Sequence, residues 1–597
     1  MTETVNKVQT QESDRQLITK LLFRLLPLQI LLCLIDQVND IISSLFAGNF
    51  VGVAAMAAVG LYAPIAMFIN AVSSMIVGGS AILCGKYMGR NELEKTQSVF
   101  SLSTIVTLSL AVVFTVLLAV AGAFGLTGFF TDDPAVRTLF NSYLIGQAIG
   151  VIPTMLGSVF SSFLSLDNKS RLTTTAGIVY IGANLIFNYL FVQVLHMEAF
   201  GLALASSLAI LIFTVIIAQH FFAKNSSFRF RFKGFDLKEA KEILSIGAPG
   251  AINSGCQSLR GIIVNKIILL FVGGVGISAF AAANTLMAFA WTIPGGMQAV
   301  SRMMISISVG EEDRQSLTDV MRNMFYRFLP LMGAICVLII ACAVPLTKLY
   351  YRDPSDPVFM MTVWGFRILP LCMPLSIILM HFSCYAQASG KTALVNLYSV
   401  VDGVLCVAGF SAILIPLIGI KGVYWANVLN GVVTTLIIIG YAYLKNKRIP
   451  KNMSELMVIP EDFGVPKEEC LNFSLRSMDE VVRISEKVMD FCKEKGIDRR
   501  RSYFAGLFIE EMAGNIVDHG FHKDKKKHSV DVRVAFKDDT LILRLKDDCV
   551  PFDPASRRSI VDPEDITKNI GIRMVYSIAR DISYQNMLGL NVLTVKF

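Results

Sequence analysis

The sequence predicts a mainly α-helical, polytopic membrane protein of twelve transmembrane helices in two six-helix repeats, followed by a cytoplasmic α+β sandwich. Three observations predict it. Apolar runs long enough to cross a bilayer follow one another from about Leu21 to Leu444, short motifs recur between the two halves of that region, and the chain beyond about 450 turns dense in Lys, Arg, Asp and Glu. With 54% hydrophobic and only 17% charged residues among 597, and a mean hydropathy of +0.57, the chain is too apolar for an ordinary soluble protein of this length.

Residues 1–20 are polar and lack the apolar core and small-residue cleavage site of a secretory signal, so they are expected to be an N-terminal cytoplasmic segment. Breaks at Gly, Pro and charge clusters then divide the body into spans near 21–47, 55–84, 98–124, 138–166, 172–195 and 200–222, and again near 243–271, 277–308, 323–350, 361–389, 392–416 and 420–445. The first repeat is 21–222, a basic linker covers 223–242, the second repeat is 243–445, and a second linker, 446–469, leads to the domain at 470–597.

Lys and Arg gather in alternate loops: Lys7, Arg15 and Lys20, then Lys86, Arg90 and Lys95, then Lys169 and Arg171, then the central "KNSSFRFRFKGFDLKEAKE". That bias places these loops, both termini and the C-terminal domain in the cytoplasm. The cysteines stand singly, many in apolar runs (Cys33, Cys336, Cys372), with no CxxC pair, which suits buried small hydrophobes better than a metal site. A net charge of +8 without a basic stripe points to no nucleic-acid partner.

The repeat shows in four places. "GVAAMAAVG" at 52–60 parallels "GISAFAAAN" at 276–284, Pro153 parallels Pro374, "SFLSLDNKS" at 162–170 parallels "CYAQASGKT" at 384–392, and "FGLALA" at 200–205 parallels "KGVYWA" at 421–426. Their nearly constant offset implies a duplicated six-helix unit whose copies face the same way, an arrangement that usually encloses a central site reached alternately from either side.

Together with "LFAGNFVGVAAMAAVGLYAPI" after the first helix and "GKYMGRNELEKT" after the second, these motifs resemble the multidrug and toxic compound extrusion (MATE) family over about residues 20–445. The resemblance implies twelve helices in two bundles, a bacterial inner-membrane location and antiport of drugs or organic cations against sodium ions or protons.

A carboxylate at the centre of a membrane helix costs about 2.5–3.5 kcal/mol on insertion scales, so it is expected to have a task or a partner. "LIDQVNDII" sets Asp36 and Asp40 four apart on one helix face with Gln37 and Asn39 beside them, making them candidates for the coupling-ion site. Aligned on Gly48, the family's usual acid falls at Ser43, and its Asn–Asp pair of the fifth helix becomes Asn184 and Asn188. In the second half Gln257 stands near a family Glu. Arg260, Lys266, Arg367, His381 and Asp402 also lie within spans. Asp402 suits either a structural pair with Arg260 or a transport role, His381 reads as a packing residue, and the positive side chains leave room for an anionic substrate.

"SGKT" at 389–392 looks like the end of a P-loop, but Tyr385 stands where the loop needs its first glycine, and the motif belongs to the repeat. It is read as the end of a membrane helix, and no P-loop motor is expected. In the tail, alternating runs predict strands at "CLNFSLR", "SVDVRVAF" and "TLILRLKD". Amphipathic runs predict helices from Ser477 to about Lys495 and from Arg499 to His519, with a further helix near "GIRMVYSIARDI" and a final strand pair.

The tail resembles the histidine-kinase-like ATPase fold (GHKL or Bergerat type), in the serine-kinase and anti-sigma-factor branch, over about 470–597. Glu511 and Asn515, four apart on "FIEEMAGNIVDHGF", match that family's Glu and Asn. The resemblance implies that Asn515 ligates the magnesium of Mg-ATP, that Glu511 activates a water or a partner's serine hydroxyl, and that Asp547 of "DDCVPFDP" accepts the adenine amino group. Gly571 of "KNIGIRMV" would offer its N–H to phosphate, while Cys549 and Asn569 stand where the family has glycines. Three functions are therefore open. One is an antiporter, coupled to sodium or protons, with an ATP-binding regulatory domain. Another is a membrane-anchored serine kinase acting on an anti-anti-sigma-like protein, and the third a flippase or exporter of a lipid-linked or anionic metabolite.

Overall fold

The structure is a computed structural model that describes residues 2–51, 53–129, 133–223, 226–230, 237–351, 353–523, 527–551 and 579–597. It divides into two compact units. Leu25–Gly310 with Val320–Val458 form one, and Met1–Arg24, Glu311–Asp319 and Ile459–Phe597 form the other.

The larger unit is helical throughout, and two of its helices, the first and the ninth, begin in the smaller unit. Helices α1 (Thr2–Phe46), α2 (Val53–Arg90), α3 (Leu93–Ala123), α4 (Pro134–Leu166), α5 (Ser170–Asn188) and α6 (Glu198–Phe222) form the first half. The second half consists of α7 (Leu237–Phe271), α8 (Gly274–Gly310), α9 (Arg314–Ala341), the short α10 (Ala343–Lys348), α11 (Pro357–Ile368), α12 (Cys372–Ala388), α13 (Thr392–Val400), α14 (Cys406–Ile418) and α15 (Lys421–Asn446). Eleven segments among the described residues are long and apolar enough to cross a membrane. The remaining expected span, α7, is a helix of 35 residues whose polar content, with Asn253, Gln257, Arg260 and Lys266, keeps it below that apolarity. Helix α1 starts at Thr2 rather than near 21, since residues 2–20 contain no Gly or Pro to stop a helix.

Local chemistry sets the helix ends. Asp133 accepts from the Ala135 N–H at 2.9 Å ahead of Pro134, and Asp356 accepts from the Val358 N–H at 3.0 Å ahead of Pro357, as expected of an N-cap followed by proline. Pro370 falls in a 3-10 turn, Leu369–Leu371, that splits the expected 361–389 span into α11 and α12. The duplication is visible in backbone geometry as well. Asn168 and Gly390, seventh in their paired motifs, both adopt positive φ (56° and 73°), and both fifth helices contain a π turn, at Tyr189–Val194 and Val401–Leu405.

The halves meet where glycine lets backbones touch. A Cβ on Gly79 of α2 would fall 1.9 Å from the Ile243 carbonyl oxygen of α7, and one on Gly247 of α7 would fall 1.8 Å from that of Met75. The counterpart crossing, α1 on α8, brings Gly296 to the Ile30 backbone nitrogen, 2.7 Å from a Cβ position. Small residues at a membrane helix crossing maximise packing where the hydrophobic effect between helices is absent.

A short helix, α16 (Met453–Leu456), lies near the end of the larger unit. The smaller unit holds a five-stranded antiparallel sheet ordered β1-β2-β3-β5-β4, with β1 Cys470–Leu475, β2 Val530–Lys537, β3 Thr540–Asp547, β4 Asp581–Met587 and β5 Leu590–Lys596. Alternation along β2 and β3 sends Val530, Val532, Val534, Leu541, Leu543 and Leu545 to one face. There they pack with Val481, Ile484 and Val488 of α17 (Met478–Glu494) and with Ala505 and Phe508 of α18 (Arg499–Phe508). Beyond Phe508 that helix runs on through π turns at Ile509–Ala513 and Ile516–Gly520. Most of the helix expected at "GIRMVYSIARDI" lies outside the described residues, and its last two residues, Asp581 and Ile582, belong instead to β4.

Candidate functional site

Asp36 and Asp40 lie on an accessible side of α1, and neither carboxylate has a hydrogen-bond or ion-pair partner among the described residues. Tyr180 of α5 stands within electrostatic range of both, and Tyr143 of α4 within range of Asp40. The two acids thus lie within electrostatic range of phenol groups on neighbouring helices. Tyr143 is itself placed by the Gln147 amide, which donates to its hydroxyl at 2.9 Å. Ser43, one turn on, meets Ser206 of α6 at 3.3 Å.

Asn39 points elsewhere. It is buried and accepts from the Asn184 amide at 3.0 Å, while Asn188 donates to the Asn184 carboxamide oxygen at 2.8 Å. The result is a chain of three buried amides, Asn39–Asn184–Asn188, whose last oxygen, Asn188 Oδ1, accepts no hydrogen bond from the described residues. Sequence spacing grouped Asn39 with the two aspartates. Helical geometry separates them, because neighbouring residues are rotated by about 100°.

In the second half, Gln257 donates to Asn253 at 2.6 Å, and Asp402, in its π turn, accepts from the Asn430 amide of α15 at 2.8 Å. Arg260 lies within electrostatic range of Asp402, but no ion pair joins them. His381 is buried; its Nδ1 meets Ser301 Oγ at 2.7 Å, and its ring packs against Phe325 and Phe328. Counting from the paired motifs that begin at Gly52 and Gly276, Asp36 corresponds to Arg260; counting from those at Ser162 and Cys384, Tyr180 corresponds to Asp402. In each half a group on the first helix thus lies within electrostatic range of one on the fifth at the same place, acid and phenol in one, guanidinium and acid in the other. The repeat offset held this signal for Tyr180, which helix-by-helix reading passed over.

The "SGKT" stretch is a turn between α12 and α13. Its Lys391 donates to the Met457 and Val458 carbonyls at 3.2 and 2.9 Å, so it is engaged in structure.

In the tail, Asn515 and Glu511 are half-buried on the long helix. The Asn515 amide donates to the Glu511 carbonyl, which pins the side chain through its nitrogen, while the Glu511 carboxylate has no partner among the described residues. Asp547 is buried on the helix-covered face of β3. Its Oδ1 accepts from the Asn591 amide at 2.8 Å and from the Cys549 N–H at 2.9 Å. Burial pushes the Asp547 carboxyl up, and those two donors pull it part of the way back. Asn591 is in turn held by the Tyr584 hydroxyl at 2.8 Å and the Asn586 amide at 2.9 Å, positioning residues that no motif announced. The Cys549 thiol fits beside Gly520, 3.3 Å from where a Cβ would stand, so the replaced glycine is accommodated by a second glycine across the site. A buried carboxylate acceptor facing a helix with a pinned carboxamide suits adenine and a phosphate-bound divalent ion. Gly571 and Asn569 lie outside the described residues.

The chain matches the MatE family over residues 30–190 and 249–412 and the histidine kinase-like ATPase domain over 475–597. It is 25% identical over 279 residues to a probable multidrug resistance protein NorM of Photorhabdus laumondii, spanning 44% of this chain and 58% of that relative. It is 19% identical over 436 residues to the multidrug export protein MepA of Staphylococcus haemolyticus, spanning 71% of this chain and 93% of that one. In fold it resembles a MATE protein crystallised in complex with MaL6, with a TM-score of 0.68 and 19% identity over 74% of this chain and 98% of the other.

Proposed function

We propose that the chain, which belongs to the MatE family and carries a histidine kinase-like ATPase domain, is a secondary antiporter of the bacterial inner membrane with cytoplasmic termini, exporting drugs or organic cations against sodium ions or protons under regulation by Mg-ATP. The observation supporting ion coupling is the pair of carboxylates, Asp36 and Asp40, without partners among the described residues and within electrostatic range of Tyr180 and Tyr143. Taking up a proton or a sodium ion neutralises such a carboxylate and shifts the balance between inward and outward access. Sodium also accepts amide oxygens, and Asn188 Oδ1 is an available one.

Uptake into vesicles under an imposed gradient tests this reading directly. Accumulation of a cationic drug that collapses with the gradient is expected. Full transport by an Asp40→Asn protein would refute the assignment of that carboxylate, and the absence of any gradient-driven flux would leave the body a receptor or anchor. Arg260 supports a second substrate class, anionic or lipid-linked metabolites, which the same vesicles distinguish by competition.

For the tail, Asn515 and Asp547 would hold the metal-bound phosphates and the adenine, and Glu511, free of partners, would orient a water or a serine hydroxyl of an anti-anti-sigma-like partner. Bound Mg-ATP supplies the transferable phosphoryl group. An Asp547→Asn protein is expected to lose most nucleotide affinity in a titration of the full-length protein. Because burial raises Asp547 above its ordinary value of 3.8, acidification protonates it earlier than an exposed Asp, and affinity is expected to fall on the acid side with a midpoint above 3.8. Its contribution to folding has the opposite sense: present below the unfolded value and lost as pH rises through the folded one.

A further inference from the structure

Alternation on β2 and β3 sends apolar side chains to the helix-covered face, which leaves Arg533, Arg544 and Lys546 on the other face. Arg533 and Arg544 are direct cross-strand partners. Like charges so placed repel, and an unoccupied sheet face would be expected to avoid the pair.

The same compact unit contains Glu311–Asp319, the connection between α8 and α9. Glu311, with a side chain only 1% exposed, pairs with Lys546 at 2.7 Å and with Arg544 at 3.5 Å. Asp313 pairs with Arg533, Glu312 with Lys537 at 2.7 Å, and Gln315 accepts from Asn472 of β1 at 3.0 Å. Gly464, at φ +84°, approaches so closely that a Cβ there would lie 2.5 Å from the Glu312 carbonyl oxygen. Burial alone would raise the Glu311 carboxyl; Lys546 and Arg544, with Arg533 behind them, outweigh burial and hold it below the usual carboxylate range.

The repeat shows that this acid run is particular to one half. The corresponding turn of the first half reads Arg90-Asn91-Glu92, with Asn91 at φ 65° where Glu312 has 52°. Two of its three positions are thus acidic only in the second half, where short cytoplasmic loops ordinarily favour positive charge. Asp313 keeps the ordinary duty of the turn, accepting from the Gln315 and Ser316 N–H groups at 3.0 and 3.1 Å to start α9, while also binding Arg533. Asp313 thus joins that sheet face to the first turn of α9.

We propose that the acid run Glu311–Glu312–Asp313, seated on the basic face of the tail sheet, is the coupling element through which nucleotide binding by the tail governs α8 and α9, and with them transport. The role in regulation rests on the antiporter reading above; the seating of the loop does not. Hydrogen exchange of residues 311–319 in the full-length protein, with vesicle transport measured in parallel with and without internal Mg-ATP, separates the two. Lys546→Glu is expected to speed exchange of these amides at least tenfold and to abolish the effect of ATP on transport, and Lys546→Glu with Glu311→Lys is expected to restore both. Unchanged exchange in Lys546→Glu would overturn the seating. Faster exchange with an intact ATP effect would overturn the coupling. A wild-type protein that transports identically with and without ATP would overturn both the coupling and the regulatory reading while leaving the seating to be judged by exchange.

Discussion

The two six-helix halves share a scaffold and differ in polarity at one equivalent place. Both cross their neighbour through a glycine, both turn at a positive-φ residue after the fourth span, and both open a π turn in the fifth. Where the first half sets Asp36 near Tyr180, the second sets Arg260 near Asp402. Duplication fixes the backbone because packing tolerates little change. The pair between first and fifth helices differs in chemistry although the helices pack closely beside it, with Gly177 against Ile35 in one half and Gly403 against Cys256 in the other.

Changing the first-half acid should have the largest effect. Losing one transported charge removes about 2.3 kcal/mol per 100 mV, so in Asp36→Asn vesicles the accumulation ratio at that potential is expected to fall by up to about fiftyfold. An equal fall in Arg260→Gln would erase the distinction between the halves. Scaffold changes come next and should be matched. Gly79→Ala and Gly296→Ala each force a methyl against backbone atoms and are expected to cost about 1–3 kcal/mol in detergent unfolding, whereas Gly60→Ala, with nothing within 4 Å, should be neutral or stabilising by up to about 1 kcal/mol. A clear disparity between Gly79 and Gly296 would mean that the crossings are not equivalent.

The buried amides probe each half from inside. Asn184→Leu strands Asn39 and Asn188, and Asn430→Leu strands Asp402; each is expected to destabilise by about 1–3 kcal/mol, read as a lowered Tm. The smallest effect is on selectivity. Arg260→Gln should shift preference between an anionic and a cationic competitor by about threefold to tenfold, equivalent to roughly 1 kcal/mol, and no shift at all would remove Arg260 from the substrate's surroundings.

Much of the fold was legible because its signals are local. Long apolar runs, breaks at Gly, Pro and charge clusters, and strand alternation each reveal an element without knowledge of its neighbours. Helix α7 reads as a span from the breaks that bound it, although its polar residues weaken the hydropathy signal. The candidate site was legible only as residue types. Asp36, Asp40, Asn184, Asn188, Glu511, Asn515 and Asp547 announce themselves by chemistry out of place or at helical spacing. Their groupings do not, since Asn39 leaves the aspartates for the asparagines through a rotation of the helix, and Asn591 reaches Asp547 from another strand.

The sequence by itself determined the two-part composition, the duplicated body, the α+β tail and the kinds of side chain available for chemistry, because each depends on periodicity, length or solvation along one stretch of chain. Only the tertiary structure decided which side chains meet. The approach of Arg260 to Asp402 without an ion pair, the three-amide chain and the occupation of a repelling Arg533–Arg544 pair by Glu311 and Asp313 all join segments far apart in the chain. Their energies depend on distance and burial, which no single stretch of sequence contains.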